Sequence, residues 1–409
     1  MDFDDIVVGS GLSALAAVLG MEARRRVLVI ANPVQGDFSY YDERRTVPCA
    51  YSGAGGLGNA WHGVIPTGWR NNFGNADAAG FMALLKYFYP HINVSERIEQ
   101  PWLFVPWRAI RPLREFQRLV QERGERLTFL NETALSVSMQ NSSAEVMTAT
   151  SKYRARRVWL AAGALHTPVV LQQSFGRRLS RGLVSDHAFC YIGQTAAEAA
   201  PRLTHSREGM FFPARYSKAS DALYTLRPAR FAFRRLDYGI EQRALFGLPT
   251  GNAVAKIARR ASPGLLAEAF YNRFGLFPSA DLYSVYAQVA APDAYAYDPE
   301  GPRPVQARLH ALRAATDAAR AHPPYNDLVV SRRPEAFIPG IHLHHSLDLA
   351  ALAQAGINSA DSSLQIVDAS VLDNIGPDHH SFKMMLLAYD RVKSIHAADG
   401  ISIHSPIHQ

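Results

Sequence analysis

The opening residues leave the chain little freedom. Asp5–Val8 is an apolar run of strand length, and Gly9–Ser13 is a glycine turn. Ala14–Arg25 carries alanine and leucine at helical spacing, and Val27–Ala31 is a second apolar run. Strand, turn, helix and strand in that order begin a parallel sheet. The turn itself reads Gly9-Ser10-Gly11-Leu12-Ser13-Ala14, a G-x-G-x-x-A pattern between strand and helix. The first glycine makes the tight turn, and the second lets a pyrophosphate reach backbone N–H groups. Ala14 permits close helix–strand packing, and the positive end of the helix favours the anion. A dinucleotide is therefore expected at Gly9, Gly11, Leu12, Ser13 and Ala14. The second strand departs from the usual pattern, because it ends in Ala31-Asn32 where a carboxylate ordinarily holds the ribose hydroxyls. Asn32 offers an uncharged amide there, so weaker or re-routed ribose binding is expected.

Further along, Leu127–Leu130, Ala134–Met139 and Glu145–Thr150 read as a small antiparallel meander that ends in another apolar strand, Arg157–Ala161. From Gln194 to about Pro339 prolines and aromatics recur, and strands such as Leu282–Val289 alternate with amphipathic helices such as Gln306–Ala321. The tail returns to an α/β pattern with strand Leu364–Val367 and helix His380–Ala398. A chain that leaves a nucleotide-binding sheet and comes back to it implies a discontinuous domain. The expected class is α/β, a Rossmann-like domain built from residues 1–75, 124–195 and 355–409. A second α+β domain with an antiparallel sheet is expected from 76–123 and 196–354.

Composition excludes several alternatives. The 409 residues contain only two cysteines, Cys49 and Cys190, too few for a disulfide scaffold or a thiolate metal site. No apolar stretch has the length of a membrane span, and the acidic start lacks the features of a signal peptide, so the cytoplasm is the expected location. The net charge of +7 fits either an ordinary basic surface or an anionic partner. No nucleic-acid-binding pattern accompanies that charge. Phe246–Phe277, with Lys256, Arg259 and Arg260 among apolar residues, reads either as a helix pair packed on the second domain or as a membrane-surface segment.

Four further segments carry a family resemblance. They are Gly53-Ala-Gly55-Gly56-Leu-Gly58-Asn59-Ala60-Trp61-His62-Gly63, Leu160-Ala-Ala162-Gly163-Ala-Leu-His-Thr167-Pro168, Ser185-Asp186-His187, and Leu364-Gln-Ile-Val-Asp368-Ala369-Ser370-Val-Leu372. In this order, behind an N-terminal glycine fingerprint, they resemble the glucose–methanol–choline oxidoreductases. The resemblance implies non-covalent FAD held by the Gly9–Ala14 turn, Ala31 and Asn32. It adds the flavin loop Gly55, Gly56, Gly58, Asn59, Ala60 and Trp61, then Ala162 and Gly163, and Asp368 and Ala369. Ala60 falls where some members carry the histidine that bonds the flavin. The match is poor between Gln194 and Pro339, and the chain is shorter than typical members.

The resemblance also implies a catalytic pair, one histidine upstream of the Leu364–Leu372 segment and an Asn or His downstream. Upstream stands Gly340-Ile-His342-Leu-His344-His345-Ser346, and alignment on the serine selects His342 as the base that takes the hydroxyl proton. His344 and His345 then replace two glycines. Downstream stands Asp378-His379-His380, where His379 is the first choice and His380 the second. His342 and His344 alternate as on a strand and offer a cation site, yet no carboxylate cluster accompanies them, so no metal is expected.

The expected reaction is oxidation of a hydroxyl on a small or sugar-like alcohol, lipid-linked or anionic forms included. Trp61, His62, Trp69 and Arg70 are the polar and aromatic residues near the flavin loop. The acceptor is left open among oxygen, a quinone and a protein. The alternatives are reduction or isomerisation of a ketone or enone, and a flavin-binding partner without turnover.

Overall fold

β1 (Phe3–Val8) leads through the glycine turn into α1 (Leu12–Gly20) and back through β2 (Val27–Ala31). After them come α2 (Ala78–Phe88), β3 (Trp102–Pro106), α3 (Pro112–Arg123) and then β4 (Leu127–Asn131), β5 (Ala134–Gln140), β6 (Ser143–Thr148) and β7 (Lys152–Leu160). α4 (His166–Phe175) precedes the long strand β8 (Leu183–Ala196), then β9 (Gly209–Ser217), β10 (Ala222–Pro228) and β11 (Leu282–Tyr297). α5 (Leu309–Ala321), β12 (Leu364–Ile366) and α6 (Ser381–Ile403) complete the order used below. The computed structural model describes residues 3–32, 37–40, 48–61, 63–67, 78–92, 102–140, 142–176, 179–196, 204–228, 282–300, 305–325, 328–330, 337–373 and 375–403. His62, Trp69, Arg70 and the Phe246–Phe277 segment lie outside them.

The first sheet has the order β4–β2–β1–β7–β6–β5. β4, β2, β1 and β7 run parallel, and β12 pairs parallel with the end of β7. Leu127–Asn131 is thus not part of the antiparallel meander that its position suggested. It pairs with β2 from Val27↔Leu127 to Ala31↔Asn131. The reason is α3, whose buried Phe116 and Leu119 lay it over the sheet, and a helical crossover delivers the next strand parallel. The antiparallel part is confined to β5–β6–β7.

At the turn, Gly9 has φ +115°, and a Cβ there would stand 2.2 Å from the carbonyl of Ala161. Only glycine lets the ends of β1 and β7 come so close. α1 starts earlier than the spacing suggested, since Gly11 accepts from Leu15 and is the cap. It also stops earlier, at Gly20. Met21 beyond it is extended, and the guanidinium of Arg25 pairs at 2.5 Å with the buried Asp5, which also receives Trp159 Nε1 and His396 Nε2. One face of the sheet packs on α1, α2, α3 and α6 through residues such as Leu15, Phe81, Phe116 and Phe382. Ile6, Leu28, Ile30, Val158 and Leu160 fill the other face. Each such side chain, fully buried, contributes roughly 1.5–3 kcal/mol.

The second sheet is antiparallel, in the order β8–β11–β10–β9–β3, with short strands at Val329–Val330 and Ile65–Pro66 at its ends. The short strand Phe337–Pro339 also lies along β8. Leu183–Ala196 belongs to this second sheet, while α2 and α3 pack on the first. Among the described residues no helix is long and apolar enough to cross a membrane.

Candidate active site

The cofactor-side residues gather at the carboxyl ends of β1 and β7. Gly11 precedes the first turn of α1, where the amides of Leu12, Ser13 and Ala14 have no acceptor within the helix. Ala14 is fully buried against the sheet, Ala31 is the buried last residue of β2, and Asn32 is half-buried just beyond it. The flavin-loop candidates form a single turn of 3-10 helix, Gly56–Ala60, capped by Gly55. Asn59 folds over that turn and donates to Ala54 O, while Trp61 is buried in the first core. Gly58 packs where a Cβ would meet Pro112 and Leu12. By contrast, a Cβ on Gly56 or Gly163 would meet nothing within 4 Å. Open space beside these two glycines, a bare helix N-terminus and small residues between them fit a dinucleotide.

Asp368 is held by hydrogen bonds within the chain. One carboxylate oxygen accepts from Gly163 N at 2.8 Å and Thr167 Oγ1 at 2.5 Å, the other from Ser370 N and Oγ. Both oxygens are occupied, so Asp368 shapes the Ala162–Gly163 turn. Ala369 O in turn receives His345 N, which attaches the upstream histidine segment to this turn.

Two segments far apart in sequence bring their histidines together. The rings of His342 and His380 meet edge to face with centroids 4.8 Å apart, and His379 lies 6.1 Å from His342. His344 is 5.3 Å from His380. His187 lies beneath, at 5.6 Å from His342 and 5.2 Å from His380. His345 points elsewhere, its Nδ1 beside Arg181 at 3.0 Å and its Nε2 3.4 Å from Asp373. Its φ of +55° turns it out of the run. Sequence reasoning noted Asp186-His187 only as a resemblance and gave His187 no place in the site. A histidine beside an acid on the strand after α4 was the available signal.

Partner chemistry fixes two tautomers. His187 Nε2 faces Gly376 O at 2.7 Å, and a carbonyl only accepts, so that nitrogen carries the proton. Its Nδ1 then accepts from Gln288 Nε2 at 3.2 Å. His344 Nδ1 likewise donates to His342 O at 2.9 Å. Burial pushes His344 down to about 4. Burial first, then the neighbouring imidazoles, puts His187 and His380 well below the usual histidine range. These three are neutral at neutral pH, and charging any one of them opposes charging the others. His187, His342 and His380 bring one nitrogen each within 4.8 Å. A cation there would have to break one of the two hydrogen bonds that already occupy His187.

No protein-family model matches the sequence, and no curated protein matches it. Solved structures do. Pyridoxine 4-oxidase from Mesorbium loti superposes with a TM-score of 0.50 at 13% identity, covering 97% of this chain and 99% of its own. A fungal aryl-alcohol oxidase gives 0.50 at 11% identity, with coverages of 98% and 99%. An FAD-dependent oxidoreductase from Chaetomium thermophilum gives 0.52 at 13% identity, with coverages of 98% and 100%. The chain shares their fold. That likeness extends over nearly the whole length of each, the second sheet included, and at these identities it speaks for architecture alone.

Proposed function

We propose that this chain is an FAD-dependent alcohol oxidoreductase of the glucose–methanol–choline type. The observation that carries the reading is the pair His342–His380, one imidazole from each of two distant segments, in edge contact at 4.8 Å. FAD, when bound, accepts the hydride from the alcohol carbon. The Gly9–Ala14 turn would hold its pyrophosphate, Asn32 would serve its ribose, and Gly55–Trp61 with Ala162 and Gly163 would hold its flavin end. Ala60 has no group that can bond to the ring, so attachment is non-covalent.

His342 receives the hydroxyl proton, and His379 and His380 orient the hydroxyl toward it. Neutral His380 and His344 support this division of labour. They leave His342 room to take up one proton, and the charge so formed discourages a second. The substrate class is a small alcohol, sugar-like or aromatic. The named substrates of two fold relatives, pyridoxine and an aryl alcohol, favour the aromatic end. Both are oxidases by name, which favours oxygen as acceptor. The second sheet, with its aromatic strands, is the substrate side.

The test is anaerobic bleaching of the FAD-loaded protein across a panel of primary alcohols, benzyl alcohol, pyridoxine and hexoses included. Reduction by at least one class is expected. A flavin that no alcohol bleaches refutes the reading.

A further inference from the structure

Nothing in the reaction scheme uses Asp186 and His187, although both are fully buried. Asp186 accepts four hydrogen bonds. One oxygen takes the amides of His187 and His342, both at 2.7 Å. The other takes the amide of Ile341 at 3.1 Å and the hydroxyl of Tyr295 at 3.0 Å. An isolated buried carboxylate is costly, and one satisfied by four donors is a fixed anchor. Its neighbour faces the other loop, because the ring of His187 donates to Gly376 O at 2.7 Å. Behind the dipeptide, β11 supplies Tyr295 to the acid and Gln288 to the imidazole.

The upstream loop is pressed onto this dipeptide. Gly340 N donates to His187 O at 2.6 Å, and a Cβ on Gly340 would lie 2.8 Å from His187 Cβ. Ile341 sits at φ +60°, a region that costs a β-branched residue on the order of 1–3 kcal/mol and persists only where the surroundings impose it. Here the two amides given to Asp186 impose it. The next residue is His342.

We propose that Asp186-His187 is a clasp that sets the distance between the two histidine-bearing loops, Asp186 by holding the backbone of Ile341–His342 and His187 by holding Gly376 ahead of His379 and His380. Both are positioning residues, and they act through His342 and His380. The inference rests on the proposed alcohol oxidation only for its kinetic consequence, since the geometry stands without a substrate.

Two variants of His187 separate positioning from mere space filling. In His187→Gln the side-chain amide nitrogen falls near the place of Nε2 and keeps donating to Gly376 O. His187→Phe fills the volume without a donor. Crystal structures of both FAD-loaded variants are expected to keep the 4.8 Å His342–His380 separation in His187→Gln and to lose it in His187→Phe. With an alcohol that reduces the wild type, His187→Phe should lower the limiting rate of flavin reduction by roughly 10–100-fold, within the range by which misplaced catalytic groups lose rate. Its KM should change little, and His187→Gln should recover most of the rate. Gly340→Ala is the second probe and needs no change in the dipeptide. Its added methyl should lift the loop and widen the same separation. An unchanged ring separation in both His187→Phe and Gly340→Ala overturns the clasp, as does His187→Gln reducing no faster than His187→Phe. If no alcohol reduces even the wild type, the oxidation reading fails and the crystal structures still decide the clasp.

Discussion

The amide of Gly55 donates to the hydroxyl of Ser10 across 2.8 Å and so joins two glycine turns that lie 45 residues apart in the chain. One turn caps α1 and the other begins the candidate flavin loop, so this bond sets where the two ends of a dinucleotide are received. Ser10 is buried, and Ser10→Ala leaves the Gly55 amide without its acceptor, at a cost of about 1–3 kcal/mol. If half of that is expressed in the cofactor complex, FAD affinity falls roughly 2–13-fold. Fluorescence titration of the apoprotein with FAD measures it, and unchanged affinity would separate the two turns functionally.

Attachment gives a sharper yes or no. Ala60 stands within the 3-10 turn Gly56–Ala60 and carries no nucleophile. Acid precipitation of the yellow protein should release all of the flavin, as FAD, into the supernatant. Colour kept in the pellet, or FMN released, contradicts the assignment.

Among the histidines the expected ranking is steep. His342→Ala should retain FAD and slow its reduction by alcohol roughly 10²–10⁴-fold, the usual worth of a positioned general base. His380→Ala and His379→Ala should slow it less. His345→Ala should leave it unchanged, because that side chain is engaged with Arg181 and Asp373 outside the cluster. Anaerobic stopped-flow on each folded variant orders them. A wild-type rate in His342→Ala with a large loss in His344→Ala would move the base by two residues.

Acid stability follows from the buried imidazoles. His187, His344 and His380 each have a folded pKa below the unfolded one, so unfolded chains take up protons that the folded state refuses as pH falls below 6.5. The loss continues down to the folded pKa, about 4 for His344. That single residue accounts for roughly 3 kcal/mol by pH 4. His187 and His380 act in the same direction. Asp186 has the opposite sign, because burial lifts its carboxyl to about 6 and protonation there favours the folded state. Three imidazoles outweigh one carboxyl, so the urea midpoint should drop between pH 7.5 and 5. His344→Leu should start lower, since it strands the His342 carbonyl, but should lose less over the same interval. An equal loss in both proteins would show that His344 does not carry the effect.

What could be read from the sequence was local. A strand, a G-x-G-x-x-A turn, a helix and a strand define their own geometry within a few residues, because Gly9 and Ala14 are there for steric reasons that the motif itself states. The segments Leu160–Pro168 and Leu364–Leu372 were legible as returns to that sheet, and the two histidine runs as the places to look for a base. Pairing partners were not legible. Leu127–Asn131 alternates like a meander strand and is made parallel by α3, and only the packed sheet contains that information. That the two oxygens of Asp368 are taken by Gly163, Thr167 and Ser370 was likewise decided by the packed turn. Which histidines meet was decided by β8 and by the loops resting on it. Hydrogen bonds from the amides of Ile341 and His342 to the Asp186 carboxylate, and from the His187 ring to Gly376 O, bring His342, His344, His379 and His380 into the cluster, and a positive φ turns His345 away. The motifs determined the local turns and strands, because each is a contact between near neighbours. Long-range hydrogen bonds between segments more than 150 residues apart determined which histidine side chains meet.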